Sequence, residues 1–351
     1  MAVHRLYDNA GSDNRRGGGR GRQRDSDQGR PSKESGGRIP GQGLERKYRV
    51  VLNIMEFFKL NTGDSVPALC FGPGMLTRGM KNSNSFCGKV KNKFIYLNKE
   101  YAYRKAIISA MKCGYRFIDY SATYGREDLI ANAIKKTGLE RQEFWLTTRI
   151  SNAAQYSGKV RESFFQSLKR YNSDYIDVLM FHWPVTSHYL DTWREMLKLK
   201  EEGYCRILGV ANCHSHHLDF LIKETGIVPS INQIEVHPLF TQKPLLSYCK
   251  KNNIVVEAYT PLARFDDRLI RLPLLKRIAL KYRKTIPQII LRWHIQNGII
   301  PVFRSMNYQR QQENYNIFDF ELTNNEIQQI DSININSRLR YDPDNCDFTI
   351  L

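Results

Sequence analysis

The chain has 351 residues, 41% of them hydrophobic, and a formal net charge of +18; that is enough apolar material for one large core, with a surface suited to anionic partners such as a nucleotide. No apolar run approaches the roughly 18 residues of a membrane span, and the Arg-rich start contains no apolar signal core, so membrane and secretory classes are set aside. Seven cysteines, none spaced C-x-x-C, argue against a disulfide framework or a metal site and for a reducing, cytoplasmic location.

In chain order, residues 1–48 are low-complexity. They include Arg15-Arg16-Gly17-Gly18-Gly19-Arg20-Gly21-Arg22. Such a segment cannot bury enough surface to offset its conformational entropy, so a disordered basic tail is expected. Gly/Arg segments can bind single strands. The folded part, however, lacks a stripe of interleaved aromatic and basic residues, so nucleic acid is not an expected partner. Residues 49–351 read as a single domain.

Residues 58–69 read as a hairpin turning at Asn61-Thr62-Gly63, placed to plug one mouth of a barrel. Gly72 and Gly74 follow, where a backbone can approach a ligand. Residues 75–98 read as a long polar loop, either a surface insertion or part of a substrate site. Eight apolar runs punctuate the chain, at 69–73, 115–121, 144–150, 175–182, 207–212, 231–237, 254–261 and 299–305. Amphipathic, helix-like stretches alternate with them, beginning at 100–113 and 126–136 and continuing through 157–171, 188–202, 216–224 and 243–251. Two helices, 272–282 and 287–296, fill one crossover where a simple barrel needs one. Two more, 308–315 and 324–333, close the chain. Eightfold strand–helix alternation predicts an α/β protein, a (β/α)8 TIM barrel with an N-terminal hairpin plug and extra C-terminal helices. No G-x-G-x-x-G follows a strand and no P-loop is present, so the doubly wound nucleotide-binding folds are rejected.

In a parallel barrel the site lies at the carboxyl ends of the strands. There the runs carry Asp119, Arg149, His182, Asn212, His237, Tyr259 and Arg304–Ser305, with Gln233 just inside the sixth. Arg304 and Arg310 flank a helix start, with Ser305 and Asn307 between them. Two guanidiniums near a helix N-terminus make a phosphate site. Asn212 and Gln233 offer amides, and Tyr259 a flat ring face.

Gly114-Tyr115-Arg116-Phe117-Ile118-Asp119-Tyr120-Ser121-Ala122-Thr123-Tyr124-Gly125-Arg126-Glu127 resembles the first signature of the aldo-keto reductases. Ile300-Pro301-Val302-Phe303-Arg304-Ser305, with Arg310, Glu313 and Asn314, resembles their last, the adenosine-phosphate site. Phe181-His182-Trp183-Pro184, Gly209-Val210-Ala211-Asn212, Asn232-Gln233-Ile234-Glu235-Val236-His237-Pro238 and Tyr259-Thr260-Pro261-Leu262 fall between them in the family's order. The resemblance spans residues 58–351 and implies an NADPH-dependent reductase of aldehydes or ketones, needing no metal; a monomer or weak oligomer is expected. It further implies that Tyr124 is the proton donor, His182 orients the carbonyl, and Asp119 holds a cation beside the phenol. Trp183 would wall the substrate pocket. Asn212, Gln233, Tyr259, Thr260 and Leu262 would meet the nicotinamide end of the cofactor; Arg304, Ser305, Asn307, Arg310, Glu313 and Asn314 would meet its adenosine end. Two positions depart from the family's pattern. Ala211 stands where Ser is usual, and Arg149 stands where the catalytic cation is Lys. Arg is longer and planar, and the two are not interchangeable. Arg149 therefore leaves a second reading open, a catalytically weak NADPH-binding barrel acting as a redox-sensing or regulatory subunit.

Overall fold

The computed structural model describes residues 55–76 and 86–349; the expected basic tail at 1–48 lies outside them. Two short antiparallel strands, β1 (Phe57–Lys59) and β2 (Ser65–Pro67), form the hairpin, with Phe58 opposite Val66. Gly63, at φ 89°, takes the left-handed turn position that a side chain would strain. Eight parallel strands follow: β3 (Cys70–Phe71), β4 (Phe117–Ile118), β5 (Trp145–Ile150), β6 (Ile176–Phe181), β7 (Cys205–Ala211), β8 (Ile231–Glu235), β9 (Val255–Tyr259) and β10 (Ile299–Phe303). Each pairs with the next, and β10 pairs with β3, so the barrel closes and leaves no edge.

Parity along the strands sorts the side chains. Cys70, Phe117, Val178, Met180, Ile207, Ile231, Ile300 and Val302 form one buried cluster inside the barrel, and Leu60 and Val66 of the hairpin belong to it. The hairpin thus plugs the amino-terminal end, as expected of the hairpin read at 58–69 with its turn at Asn61-Thr62-Gly63. Phe71, Ile118, Leu146, Leu179, Leu208, Ile234 and Val256 face outward into a second, larger cluster beneath the helices. A strand covered on both faces reads as a continuous apolar run, which is why β6 was visible in the sequence.

The helices are α1 (Phe86–Cys113), α2 (Asp128–Thr137), α3 (Asn152–Tyr156), α4 (Val160–Tyr171), α5 (Tyr189–Glu201), α6 (Ser215–Thr225), α7 (Lys243–Lys251), α8 (Asp267–Ile270), α9 (Pro273–Tyr282), α10 (Ile286–Gln296), α11 (Tyr308–Tyr315) and α12 (Asn324–Asp331). Two expectations are corrected. The polar loop placed at 75–98 is helical from Phe86 onward, so α1 runs 28 residues rather than starting at 100. Its first half carries Lys and Asn without one-sided apolar spacing, so no core-facing stripe announced it. The helix expected over 157–171 begins at Val160, because Gly158, at φ 67°, breaks the helical path, and a short helix not expected from the sequence, Asn152–Tyr156, precedes it.

Candidate active site

Parity also builds the site. Two residues beyond an inward apolar side chain, the next inward position carries a polar one: Phe117 leads to Asp119, Ile231 to Gln233, and Val255 to Glu257, while Thr147 leads to Arg149. These four meet inside the barrel, just above the apolar plug. Arg149 Nη2 donates to Asp119 Oδ1 and to Gln233 Oε1 at 2.7 Å; Nη1 donates to the Tyr120 carbonyl at 3.1 Å. Gln233 Nε2 donates to Asp119 Oδ1 at 3.0 Å and to Glu257 Oε2 at 2.6 Å. Gly72 leaves room for this layer, since a Cβ there would stand 2.8 Å from Val302 Cγ1 and 3.5 Å from Asp119 Oδ2.

Burial alone pulls the Arg149 guanidinium down, but the charge of Asp119 and the hydrogen bond to it act against burial, and its pKa stays above the ordinary value. Arg149 is therefore a permanent buried cation. Burial, and then the charge on Asp119, pushes Glu257 up to about 8. At neutral pH the layer therefore holds Arg149 charged and paired with Asp119, and Glu257 protonated, so that Glu257 adds no buried anion.

Glu257 yields a test of this state. Its folded pKa is raised, so between about pH 4.5 and 8 the folded protein binds a proton that the unfolded chain has released. Stability therefore falls as pH rises through that window, by about 1.4 kcal/mol per pH unit for one proton. Glu257→Gln should remove that slope. Unfolding of both proteins measured from pH 5 to 8 checks it; equal slopes would show that Glu257 is not a protonated group of the fold.

Above this layer lies the mouth. Tyr124 ends a 3-10 turn (Ala122–Tyr124) that Ser121 caps by accepting from the Thr123 amide, and Gly125 closes it at φ 68°. The next residue but two, Glu127, is buried and accepts from Ser167 at 2.9 Å and from Arg170 at 2.7 Å, which ties the loop to α4. The Tyr124 ring packs edge-on to Tyr120 at 5.1 Å and to His182 at 6.4 Å. His182 Nδ1 lies 3.3 Å from Thr123 Oγ1. The ring keeps partial exposure at the mouth, yet desolvation by its surroundings, and then the charge on Arg149, push it down to about 3, so it is neutral at neutral pH. Trp183 is buried against Phe348, with ring centroids 6.2 Å apart.

Asn212 sits at φ 60°, and its amide is engaged: Nδ2 donates to the His182 carbonyl at 2.9 Å, and Oδ1 accepts from Tyr259 at 2.7 Å. Gln233 lies deeper, in the buried layer with Arg149. Thr260, at φ 48°, holds a buried hydroxyl with no protein partner, and Leu262 is buried beside it. Arg304 is exposed at the end of β10, its Nη1 beside Gly74, where a Cβ would come within 3.2 Å of it. Ser305 Oγ donates to the Asn307 carbonyl at 3.1 Å, and Asn307 caps α11 by accepting from the Arg310 amide at 3.0 Å. Arg310 is exposed and Asn314 is buried; Glu313 Oε1 accepts from Thr285 at 2.7 Å.

Sequence reasoning missed four contributors. Glu257 was readable as an acid at an inward position of an apolar strand. Glu235 Oε1 accepts from His237 Nε2 at 2.9 Å, and its two oxygens accept from the backbone amides of Leu339 and Arg340 at 2.6 and 2.8 Å. Gln311 is fully buried and donates to the Ser305 carbonyl at 2.9 Å, fixing the turn after β10. The tail after α12 supplies Arg340, whose charge reaches His182, and Phe348 on Trp183; no local signal marks a tail folded over a distant site. A broad cleft at the opposite face, lined by Phe58, Asn61, Lys243 and Lys250, contains none of these residues.

The geometry can hold a carbonyl oxygen near a phenol backed by a buried cation, beside a basic ledge at a helix start. Comparison with known proteins agrees. Residues 88–335 match the model of the Aldo/keto reductase family. The chain is 39% identical over 241 residues to the 9,11-endoperoxide prostaglandin H2 reductase of Trypanosoma cruzi, covering 68% of this chain and 85% of that one. It is 39% identical over 240 residues to the glyoxal reductase of Bacillus subtilis, covering 68% and 86%. The crystal structure of a Bombyx mori aldo-keto reductase in complex with NADP superposes with a TM-score of 0.71 at 32% identity, covering 82% of this chain and 96% of that one.

Proposed function

The chain belongs to the aldo/keto reductase family, and on that premise we propose that it reduces a small α-oxoaldehyde to the alcohol with NADPH, using Tyr124 as acid. It is an oxidoreductase acting on carbonyls; the substrate class and the residue roles are the proposal. The observation that carries them is the convergence of Tyr124, His182 and the buried Asp119–Arg149 pair at one barrel mouth. The name of the Bacillus relative, a glyoxal reductase, supports the α-oxoaldehyde class. A cytoplasmic location belongs to the proposal, supported by buried free thiols at Cys70, Cys205, Cys213 and Cys249.

The residues present fit the dinucleotide. Thr260, just past the end of β9, holds a buried hydroxyl without a partner among the described residues, and Gly74 leaves the ledge beside Arg304 open. Arg304, Ser305, Asn307 and Arg310 would hold the phosphate on the adenosine ribose, with Glu313 and Asn314 nearest the adenine. Tyr259 would lie against the nicotinamide, with Asn212, Leu262 and, after rearrangement of its hydrogen bonds, Gln233 around the carboxamide. Bound there, NADPH supplies the hydride.

The chain's own groups handle the proton. Tyr124 gives its phenolic proton to the carbonyl oxygen, and the buried charge on Arg149 stabilises the phenolate left behind. Neutral His182 can donate to the same oxygen and so orient the carbonyl. Trp183, backed by Phe348, closes the apolar side of the pocket. Arg149 had left a regulatory reading open, but its charge is retained and held on Asp119, so no feature favours that reading.

Two charge-assisted contacts to the extra phosphate should make NADPH bind on the order of 10–100-fold more tightly than NADH, and Arg304→Ala should erase much of the difference. Fluorescence titration with both nucleotides measures it, beside turnover of glyoxal, methylglyoxal and larger ketones followed by NADPH absorbance. Equal affinities would remove the assignment of Arg304 and Arg310.

A further inference from the structure

At the start of α6 stands His214-Ser215-His216-His217, and the C-terminal tail lays Asp344 across it. We propose that His214, His216 and Asp344 form a binding site for a transition-metal dication such as zinc, which clasps the tail to the barrel.

The nitrogen and oxygen atoms that His214, His216, His217 and Asp344 can offer a metal all lie within 4.8 Å of one another. His214 Nδ1 is 2.7 Å from Asp344 Oδ2, and His216 Nε2 is 3.1 Å from Oδ1. Ligands of a tetrahedral zinc stand roughly 3.4 Å apart, given bonds of about 2.0–2.2 Å. Side-chain rotations of about 1 Å would therefore assemble the site. Imidazole and carboxylate together suit zinc, and also copper and nickel.

The neighbouring groups assign the roles. The His214 amide donates to His217 Nδ1 at 3.1 Å, the return bond of a capping box. That bond makes Nδ1 an acceptor, so the His217 proton sits on Nε2, 3.6 Å from Asp344 Oδ1. His217 is thus unsuited to ligate and suited to orient the carboxylate from behind. His214 Nδ1 faces Asp344 at 2.7 Å, while its Nε2 faces the donor Arg338 Nη2 at 3.4 Å, so Nδ1 is the nitrogen that a dication beside Asp344 would take. Among the described residues Arg338, whose Nη2 lies 3.4 Å from His214 Nε2, is the cation beside this ring, and the two carboxylates of Asp342 and Asp344 outnumber it. Two histidines and one carboxylate leave a fourth position for water, the pattern of an exposed site.

In the sequence this His-x-His-His stands 127 or more residues from Asp344, so no local spacing marks the cluster. The same tail carries the Leu339 and Arg340 amides on Glu235 and Phe348 on Trp183. A metal at Asp344 would pin this wall of the pocket. That consequence rests on the proposed function; the binding does not, so the two can fail separately.

The test uses the full untagged chain, stripped with a chelator, and zinc alone at pH 7.5. Calorimetry should show saturable one-to-one binding below about 100 μM, and cobalt in its place should give a visible absorption band of low-coordinate geometry. At a hundredfold excess over its Kd, zinc should raise Tm by about 5 °C. His216→Gln, at an exposed ring, and Asp344→Asn should each weaken zinc at least about tenfold and erase the Tm shift. If these binding results hold and NADPH turnover is unaltered by zinc, only the consequence for the pocket is lost. Absence of saturable binding, or affinity unchanged in both variants, overturns the site and leaves a plain hydrogen-bonded clasp.

Discussion

Tyr124→Phe is expected to lower kcat by 10²–10⁴-fold while NADPH affinity stays within about twofold, because the phenol acts only once the carbonyl oxygen begins to gain charge. The substitution removes one oxygen and leaves the ring contacts with Tyr120 and His182 intact. Neither Ser121, Gly125 nor Glu127, which shape and anchor the loop, depends on that oxygen. Folding should therefore be unaffected, and any loss belongs to chemistry. The measurement is steady-state turnover beside a nucleotide titration on the same preparation. Retention of more than about a tenth of the wild-type kcat would mean that another group delivers the proton, with His182 next in position.

The second large effect is at Arg149. Its charge is buried, shared between Asp119 and Gln233, and within electrostatic reach of Tyr124. A unit charge at about 4–6 Å and an effective dielectric near 20 is worth roughly 3–4 kcal/mol to a forming phenolate before desolvation is subtracted. Arg149→Met should then lower kcat at least tenfold. It should also destabilise the fold by about 3–5 kcal/mol, because Asp119 is left as a buried charge without its partner. Arg149→Lys keeps the charge and should hold kcat within a few-fold of wild type. A lysine is shorter and cannot reproduce the fork onto Asp119, Gln233 and the Tyr120 carbonyl, so a stability loss of about 1–3 kcal/mol is expected from the acceptor left unpaired. The two variants separate charge from shape. Full activity in Arg149→Met at a temperature where it is folded would show that the charge has no part in turnover.

Much of this protein was legible in one dimension. Strands buried on both faces must be apolar along their whole length, so 175–182 and 299–305 announced themselves as barrel strands. Parallel closure then puts every strand's carboxyl end on one side of the barrel, so Asp119, Arg149, His182 and Arg304 could be assigned to that end from the sequence alone. Family motifs in register completed the list of candidates.

What the sequence could not determine was how those residues divide their hydrogen bonds. Gln233 carries an amide that suits a carboxamide, yet in the fold that amide joins Arg149 and Asp119 to Glu257, because its inward parity sets it one layer below the mouth. Glu257 is an ordinary acid in the sequence; enclosure beside Asp119 turns it into a proton holder. Phe348, Arg340 and Asp344 reach the mouth only because the tail folds back over β6, β8 and the start of α6, and contacts between segments so far apart leave no periodicity to read. Local patterns report burial and period, which neighbours along the chain share. Pairing of polar groups depends on which layers and segments the closed barrel brings together, and only the tertiary structure decides that.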